Sequence, residues 1–211
     1  EIFVTPGFGL AGAAGLAAVA GGGVYADGTL AATLDAVITD STLAVTGQLS
    51  LIADSRSTID SEVGASAVAI GLIGAAEAGS TAKVTVTPTV RALISGGNVS
   101  AGEIVIRASA DQTARSKSTA FSVATTAAVG ASIATSTLTS TVKAGLGDNV
   151  TLSAGALSID ADNRDYLDIA SEAISGGVFA GIAGAYSTMN LDSEALALIG
   201  DYNTITVDRL R

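Results

Sequence analysis

The hexapeptides LSLIAD (49–54), IVIRAS (104–109) and LSIDAD (157–162) decide the fold, because they are copies of one motif. Their first residues are separated by 55 and then by 53 positions. A step this regular predicts stacked structural repeats and not a globule built around a pocket. We expect one continuous domain over 1–211. Its copies, the first of them partial, lie at about 1–48, 49–103, 104–156 and 157–211.

Strictly alternating segments recur once in each copy. Apolar and polar residues take turns in DGTLAATLDA (27–36), KVTVTPTVRA (83–92), TSTLTSTVKA (135–144) and TMNLDSEALA (188–197). This period predicts strands with one face in a core and the other in water. The expected core positions are Leu30, Leu34, Val84, Val86, Val90, Leu138, Val142, Leu191 and Ala195.

Glycine and alanine dominate a second recurring phase, at 7–24, 64–79, 119–134 and 173–187. The first stretch is uncharged and, taken alone, resembles a signal or membrane segment. Later stretches carry Glu77 and many Ser and Thr residues, so we interpret the phase as a structural layer. Alanine favours helix, but each Gly in a helix costs about 0.8–1 kcal/mol relative to Ala. The frequent Gly and β-branched residues therefore predict strands here.

Each alternating segment is followed by a turn and a short strand, as in LISGGNVSAG (93–102) and LGDNVTLSAG (146–155). Gly and Asn tolerate left-handed backbone conformations, so these residues predict tight corners. Asn98 and Asn149 also begin formal N-glycosylation sequons. The third copy keeps an Asn, Asn203, and loses the sequon. We therefore interpret the recurring Asn as a corner residue.

A stack of strands joined by corners predicts an all-β parallel β-helix, or β-solenoid. A repeat of about 53 residues divides into about three coils of roughly 18 residues. The chain would then form about twelve coils and a rod roughly 55 Å long, at ~4.8 Å per coil. A β-sandwich, the alternative all-β fold, gives no reason for the repetition.

Composition excludes several functional classes. The formal charge of −10 disfavours binding to nucleic acid or to an anionic membrane surface. The chain has no Cys and no His, which excludes disulfides, His/Cys zinc sites and histidine-dependent triads. Asp27 with Asp35, or Asp192 with Glu194, pairs carboxylates as β-helical polysaccharide enzymes do. Without neighbouring Arg, His or aromatic platforms, we predict neither a catalytic site nor a cofactor.

One segment is rich in oxygen ligands suited to calcium. DADNRDYLD (160–168) contributes Asp160, Asp162, Asn163, Asp165 and Asp168. It lacks the Gly and the distal Glu of an EF-hand loop. The same phase is merely polar in the other copies, so a solvated strand-to-corner segment is the preferred interpretation.

Threonines occupy the outward positions of two alternating segments. Regular Thr arrays are how some solenoids order water on ice, which would be a different class of function. The array consists of Thr85, Thr87, Thr89, Thr135, Thr137, Thr139 and Thr141. The matching positions of the last copy are Thr188, Asn190, Asp192 and Glu194, whose charges would interrupt such a plane. Solvated β-branched residues are the preferred interpretation.

The order of these elements resembles the repeat regions of large bacterial exported adhesins. The resemblance lies in a short strand such as LSLIAD or LSIDAD, a Gly/Ala-rich stretch, an alternating segment ending in TVRA (89–92) or TVKA (141–144), and a turn leading to NVTLSAG (149–155). The family comprises filamentous-haemagglutinin-like and leukotoxin-type filamentous adhesins and autotransporter passengers. The resemblance covers nearly the whole chain. It implies a right-handed parallel β-helix, an extracellular location at the bacterial surface and a role in adhesion, and it implies no catalytic residues.

The sequence thus predicts a structural and adhesive segment of a secreted bacterial surface protein. No secretion module or membrane barrel is visible, so we expect part of a longer protein or a processed subunit. The alternative is a subunit of a self-assembling extracellular filament, since neither end resembles a cap. The expected partners are a second copy or the chain's own continuation, and a host or neighbouring-cell surface. We expect no membrane insertion by this segment.

Overall fold

Six long β-strands account for nearly all of the fold. The computed structural model describes residues 2–211, and these contain no helix; Glu1, which begins the predicted solenoid, lies outside them. All strand pairs are parallel, in the order β5-β3-β2-β4-β6, with β1 paired to β2. The strands are β1 (Ile2–Ala44), β2 (Gln48–Ala124), β3 (Ala127–Leu146), β4 (Val150–Gly177), β5 (Ala180–Ile199) and β6 (Thr204–Leu210). The prediction of strands in the Gly/Ala stretches, where helix was the alternative, is confirmed.

Strand partners lie one whole sequence repeat apart. Leu30 of β1 pairs with Val86 of β2, Val86 pairs with Leu138 of β3, and Leu138 pairs with Leu191 of β5. One coil therefore takes one repeat, and the predicted division into three coils of about 18 residues is wrong. The twelve-coil rod is wrong for the same reason, because about four coils at ~4.8 Å give a stack roughly 20 Å high.

Each coil is flattened into two walls that face each other across a narrow core. Wall A consists of 18–38, 75–95, 127–146 and 180–199, and wall B of 2–14, 42–69, 98–124, 150–177 and 204–210. Hydrogen bonds cross from wall to wall: Ser80 and Ser118 join through their hydroxyls at 2.7 Å, and Ser116 donates to the carbonyl of Ala82 at 3.0 Å. The walls are therefore two halves of one coil and not separate sheets.

Alternation decides which side chains enter the core. Val84, Val86 and Val90 are buried on wall A, and the outward residues between them, such as Thr85, are half-buried. The predicted core positions of all four copies stack in register, as the column Leu34, Val90, Val142 and Ala195 illustrates. The predicted faces are confirmed. The predicted core residues Leu34 and Leu191 are nevertheless 40% and 49% exposed, because they lie on the first and last described rungs of wall A, each with a paired rung on one side.

The core is divided into apolar zones by polar layers. Large aliphatic residues fill one zone, around Ile94, Ile104 and Leu146, and Ala residues alone make the buried part of another, from Ala65 to Ala128. Small side chains there let the two walls approach closely. Nine buried polar side chains lie along the walls: Ser61, Ser80, Gln112, Ser116, Ser118, Ser122, Ser132, Ser136 and Ser140. Side chains thus alternate between core and surface along the walls even where the inward residue is polar.

A ladder of left-handed residues forms the corner after wall A. Asp40, Gly96, Asn149 and Tyr202 have φ values of 46°, 70°, 59° and 56° and lie at equivalent positions of successive coils. The predicted tight corners are confirmed. Among the recurring Asn residues, Asn149 alone has this conformation.

The other two recurring Asn residues behave differently from Asn149. Asn203 bridges backbone groups with its side chain: it accepts from the amide of Val150 at 2.7 Å and donates to the carbonyl of Gly147 at 2.8 Å. Asn98 instead pairs with Thr151 inside a strand, so the corner prediction is wrong for Asn98.

The apolar segment 7–24 belongs to β1 and is therefore strand. Among the residues that the structure describes, no helix is long and apolar enough to cross a membrane.

Candidate functional site

The five predicted calcium ligands lie on opposite faces of β4. Asp160, Asp162 and Asp168 are at outward positions of wall B, whereas Asn163 and Asp165 are at inward positions. A strand turns successive side chains to opposite faces, so ligands of alternating parity cannot converge on one ion. No cluster of three or more Asp or Glu residues in the described part of the chain has the geometry to hold a metal.

The outward carboxylates of this segment have basic neighbours. Asp160 lies 3.6 Å from Arg107 on the adjacent coil, and Asp162 lies 3.1 Å from Arg164 on its own strand. Asp168 pairs in register with Arg115. These carboxylates therefore balance positive charge on wall B.

Asp165 is the one carboxylate of the segment that enters the space between the walls. Its Oδ2 accepts a hydrogen bond of 2.6 Å from Ser193, while its Oδ1 has no hydrogen-bond partner. Desolvation by burial raises the pKa of Asp165 above its ordinary value, against the lowering effect of hydrogen bonds from Ser193 and Asn163. Its neighbour Asn163 donates to Ser193 at 2.8 Å and accepts from Ser140 at 3.0 Å. These contacts make a polar layer of the core.

Wall B carries ion pairs that join successive coils. Lys117 lies 2.9 Å from Glu62, and Arg56 lies 3.8 Å from Asp111, each partner coming from the coil next to it. Exposed pairs of this kind contribute little stability, typically about 0–1 kcal/mol. Opposite charges in adjacent rungs do favour the observed register over one shifted by two residues. Wall B is therefore a mixed-charge surface.

The two pairs of carboxylates considered for catalysis lie on wall A, and Asp27 and Asp35 of the first pair are engaged in surface contacts. Arg91 donates two hydrogen bonds, of 2.7 and 2.6 Å, to the Asp35 carboxylate, and they lower the pKa of that carboxyl. Asp27 accepts from the Tyr25 hydroxyl at 3.0 Å and lies 3.5 Å from Lys83. Asp27 and Asp35 thus take part in two separate contacts on the outer face of wall A. Asp192 and Glu194 are exposed on β5, the terminal rung of wall A.

Threonines form a regular two-dimensional array on the outer face of wall A, between those two contacts. Rungs are ~4.8 Å apart, and outward residues along a strand are about 6.6 Å apart. Two columns are Thr29–Thr85–Thr137 and Thr33–Thr89–Thr141. On the fourth rung, Asn190 and Glu194 continue these two columns, and Asp192 pairs with Thr139 between them. The preferred interpretation of this array as solvated β-branched residues stays a prediction, and so does its minor alternative, ice binding.

Sequence reasoning missed a large exposed apolar surface, which we call the apolar edge. It consists of 7–25, 64–81, 119–133 and 172–186, where wall B turns back into wall A. It holds 17 of the 26 exposed large hydrophobic side chains of residues 7–211, although it spans only about a third of the chain. The available signal was that Leu, Ile, Val and Phe occur at both parities of the Gly/Ala stretches, which leaves some of them outside the core.

Surface depressions of the described residues are open to solvent, and one of about 490 Å³ lies on wall B beside Arg56 and Arg107. Another of about 270 Å³ is lined by Phe8, Glu62 and Thr119. The candidate functional features are thus the extended outer surfaces: wall A, wall B and the apolar edge. Comparison with known proteins found no match to a family model, a curated protein or a solved structure.

Proposed function

We propose that this chain is a structural and adhesive segment of a secreted bacterial surface protein, built as one continuous right-handed β-solenoid over 1–211. The observation that carries the proposal is the whole-repeat register, in which equivalent positions of successive copies lie side by side, as Thr85 and Thr137 do. Repetition of this kind produces extended surface. Right-handed crossovers are the rule where parallel strands of one sheet are joined.

The two walls support an adhesive role because they present different chemistry. Wall A offers hydroxyl and methyl groups in a repeating lattice, and wall B offers alternating charges such as Arg107 and Asp160. Repeated weak contacts with a cell surface add up through multivalency, without any single deep pocket. The adhesive role follows from the resemblance to exported adhesins, and the shape of the molecule fits it.

Adhesion is tested with beads coated with the purified chain and incubated with bacterial and epithelial cells. We expect binding above that of albumin-coated beads. Two variants then locate the adhesive wall: Thr87→Glu places a charge in the wall A array, and Arg107→Glu reverses one on wall B. Loss of binding in one variant and not the other identifies the wall. Binding no better than albumin for every cell type tested would refute the adhesive role.

The filament subunit is the second candidate, and one observation favours it. Strand β5 pairs with β3 along one edge, and its other edge faces no strand among residues 2–211. Open edges of this kind template pairing with another chain. Electron microscopy of the purified chain at rising concentration would show fibres. Leu191→Lys, on the open rung, would suppress them, whereas Thr85→Lys, on the outer face of an inner rung, would not. Particles of constant length would exclude end-to-end assembly.

A further inference from the structure

The apolar edge exposes its largest side chains at the corner itself. Leu72 and Phe179 are 81% and 83% exposed, and Leu16 and Val178 are 79% and 77% exposed. Backbone hydrogen bonds fix the corner, since the amide of Phe179 donates to Thr126 at 3.1 Å. These side chains are therefore held outward on a rigid frame. Exposed apolar patches of this size mark interaction surfaces in soluble proteins.

Charge is almost absent from the apolar edge. The chain has 30 charged residues, counting ten Lys and Arg and twenty Asp and Glu, and only Glu77 and Glu172 lie within the four ranges of this surface. Those two residues carry −2 of the net charge of −10, and the remaining −8 lies elsewhere, so the rest of walls A and B of two copies repel each other on average. The apolar edge is the surface on which two copies approach with the least repulsion.

The area of the apolar edge is sufficient for a stable dimer. Aromatic side chains bury about 150–250 Å² when fully covered, so we take roughly 100 Å² for each partly exposed aromatic or smaller aliphatic side chain of the apolar edge. Eight to ten of the 17 exposed side chains would supply the ~800 Å² per partner of a standard interface. A partner with a flat surface can cover eight to ten of these side chains, on the corner and on one adjoining wall.

A protein partner fits this surface better than a lipid bilayer. In hydrocarbon, each backbone N–H or C=O without a partner costs several kcal/mol. The terminal rung β5 begins at Ala180 within the apolar edge, and among the described residues its outer edge has no paired strand. Insertion would carry those groups into lipid, whereas packing against a protein leaves them in water.

We propose that a second copy of this chain packs on the apolar edge, corner against corner, in a two-fold symmetric contact. A two-fold contact uses the same patch on both copies, which suits a surface that is apolar throughout and lacks charge pairs. The contact is lateral and leaves the ends of the stack free. It therefore stands independently of the adhesive role and of end-to-end assembly.

The test is analytical ultracentrifugation of the wild-type chain and three variants over a wide concentration range. Leu72→Glu and Phe179→Glu place a carboxylate on the corner, and Ile52→Glu, 52% exposed on wall B, is the matched control. We expect a wild-type dimer, at least about tenfold weaker association in both corner variants, and no change in the control. Equal thermal midpoints for all four proteins, measured at a concentration where each is monomeric, would show that folding is intact.

Three results would overturn the proposal. They are a wild-type chain that stays monomeric throughout, corner variants that associate as strongly as Ile52→Glu, and flotation of the wild type with phosphatidylcholine vesicles in place of self-association. The last result would assign the apolar edge to a neutral lipid surface. Cell adhesion by an obligate monomer would refute the dimer and leave the adhesive role standing.

Discussion

Replacing Leu138 by Ala will cost far more stability than replacing Leu191 by Ala, although both residues lie in one column of the core. Leu138 is 0% exposed, between Val86 and Leu191, whereas Leu191 lies on the last rung and is 49% exposed. The two substitutions remove the same atoms from the same face of adjacent rungs. Only the number of covering rungs differs.

The magnitudes follow from burial. Leu→Ala at a closed core site loses the transfer free energy of the side chain and leaves a cavity, which together cost about 2–5 kcal/mol. We expect about 3 kcal/mol at Leu138. Leu191 is half exposed and opens to water, so it leaves no closed cavity and loses about half of the transfer term, or about 1 kcal/mol.

Urea unfolding followed by far-ultraviolet circular dichroism measures both values. With an m-value of roughly 2 kcal/mol/M, the midpoint should fall by about 1.5 M for Leu138→Ala and by about 0.5 M for Leu191→Ala. Thr139→Ala, an outward neighbour, is the control and should shift the midpoint little. Equal losses at the two Leu sites would refute the idea that stacking on both sides closes the core. A lower m-value in Leu138→Ala would show instead that the rungs unfold separately.

Three further predictions concern the core, the corner and the calcium candidates. The folded-state pKa of Asp165 is raised, so folding favours the neutral carboxyl, and its contribution to stability falls as pH rises from the unfolded-state pKa through the folded-state pKa. Asp165→Asn should therefore raise the urea midpoint at neutral pH and make stability depend less on pH. A lower urea midpoint at neutral pH would contradict this. Asn149→Ala, at φ 59°, should cost about 1–2 kcal/mol in urea unfolding while Asn149→Gly costs little, and equal costs would argue against backbone strain. Calcium should leave the thermal midpoint unchanged. A rise in the midpoint that Asp160→Asn abolishes would show instead that calcium brings together ligands from both faces of β4: Asp160, Asp162, Asn163, Asp165 and Asp168.

Local alternation was enough to predict the faces of the sheet. Val86 and Leu138 were assigned to one face from the sequence alone, and they are register partners in the structure. The reason is that strand geometry fixes the parity of each side chain without any long-range information. The corner after wall A was predictable in the same way, since Asn149 signals a left-handed position.

The size of a coil was not predictable, because alternation says where side chains point and not where the chain bends. The end of the Gly/Ala stretch and the alternating segment continue each other along wall A, as 75–95 does without a turn. Nothing in the sequence distinguishes that long run from two shorter ones. The apolar edge was missed for a related reason: Leu72 and Ile73 were interpreted as part of a structural layer, and the corner that exposes them follows from the position of the bend.

The whole-repeat register has a consequence for the height that each repeat adds to the stack. Each additional coil takes about 53 residues and lengthens the stack by ~4.8 Å, the advance that an α-helix makes in about three residues. A chain of this kind therefore gains height very slowly. Each repeat instead makes the molecule broad, because a wall is about 20 strand residues, or roughly 65 Å, across. A duplicated copy therefore adds to the height of the stack without widening the walls.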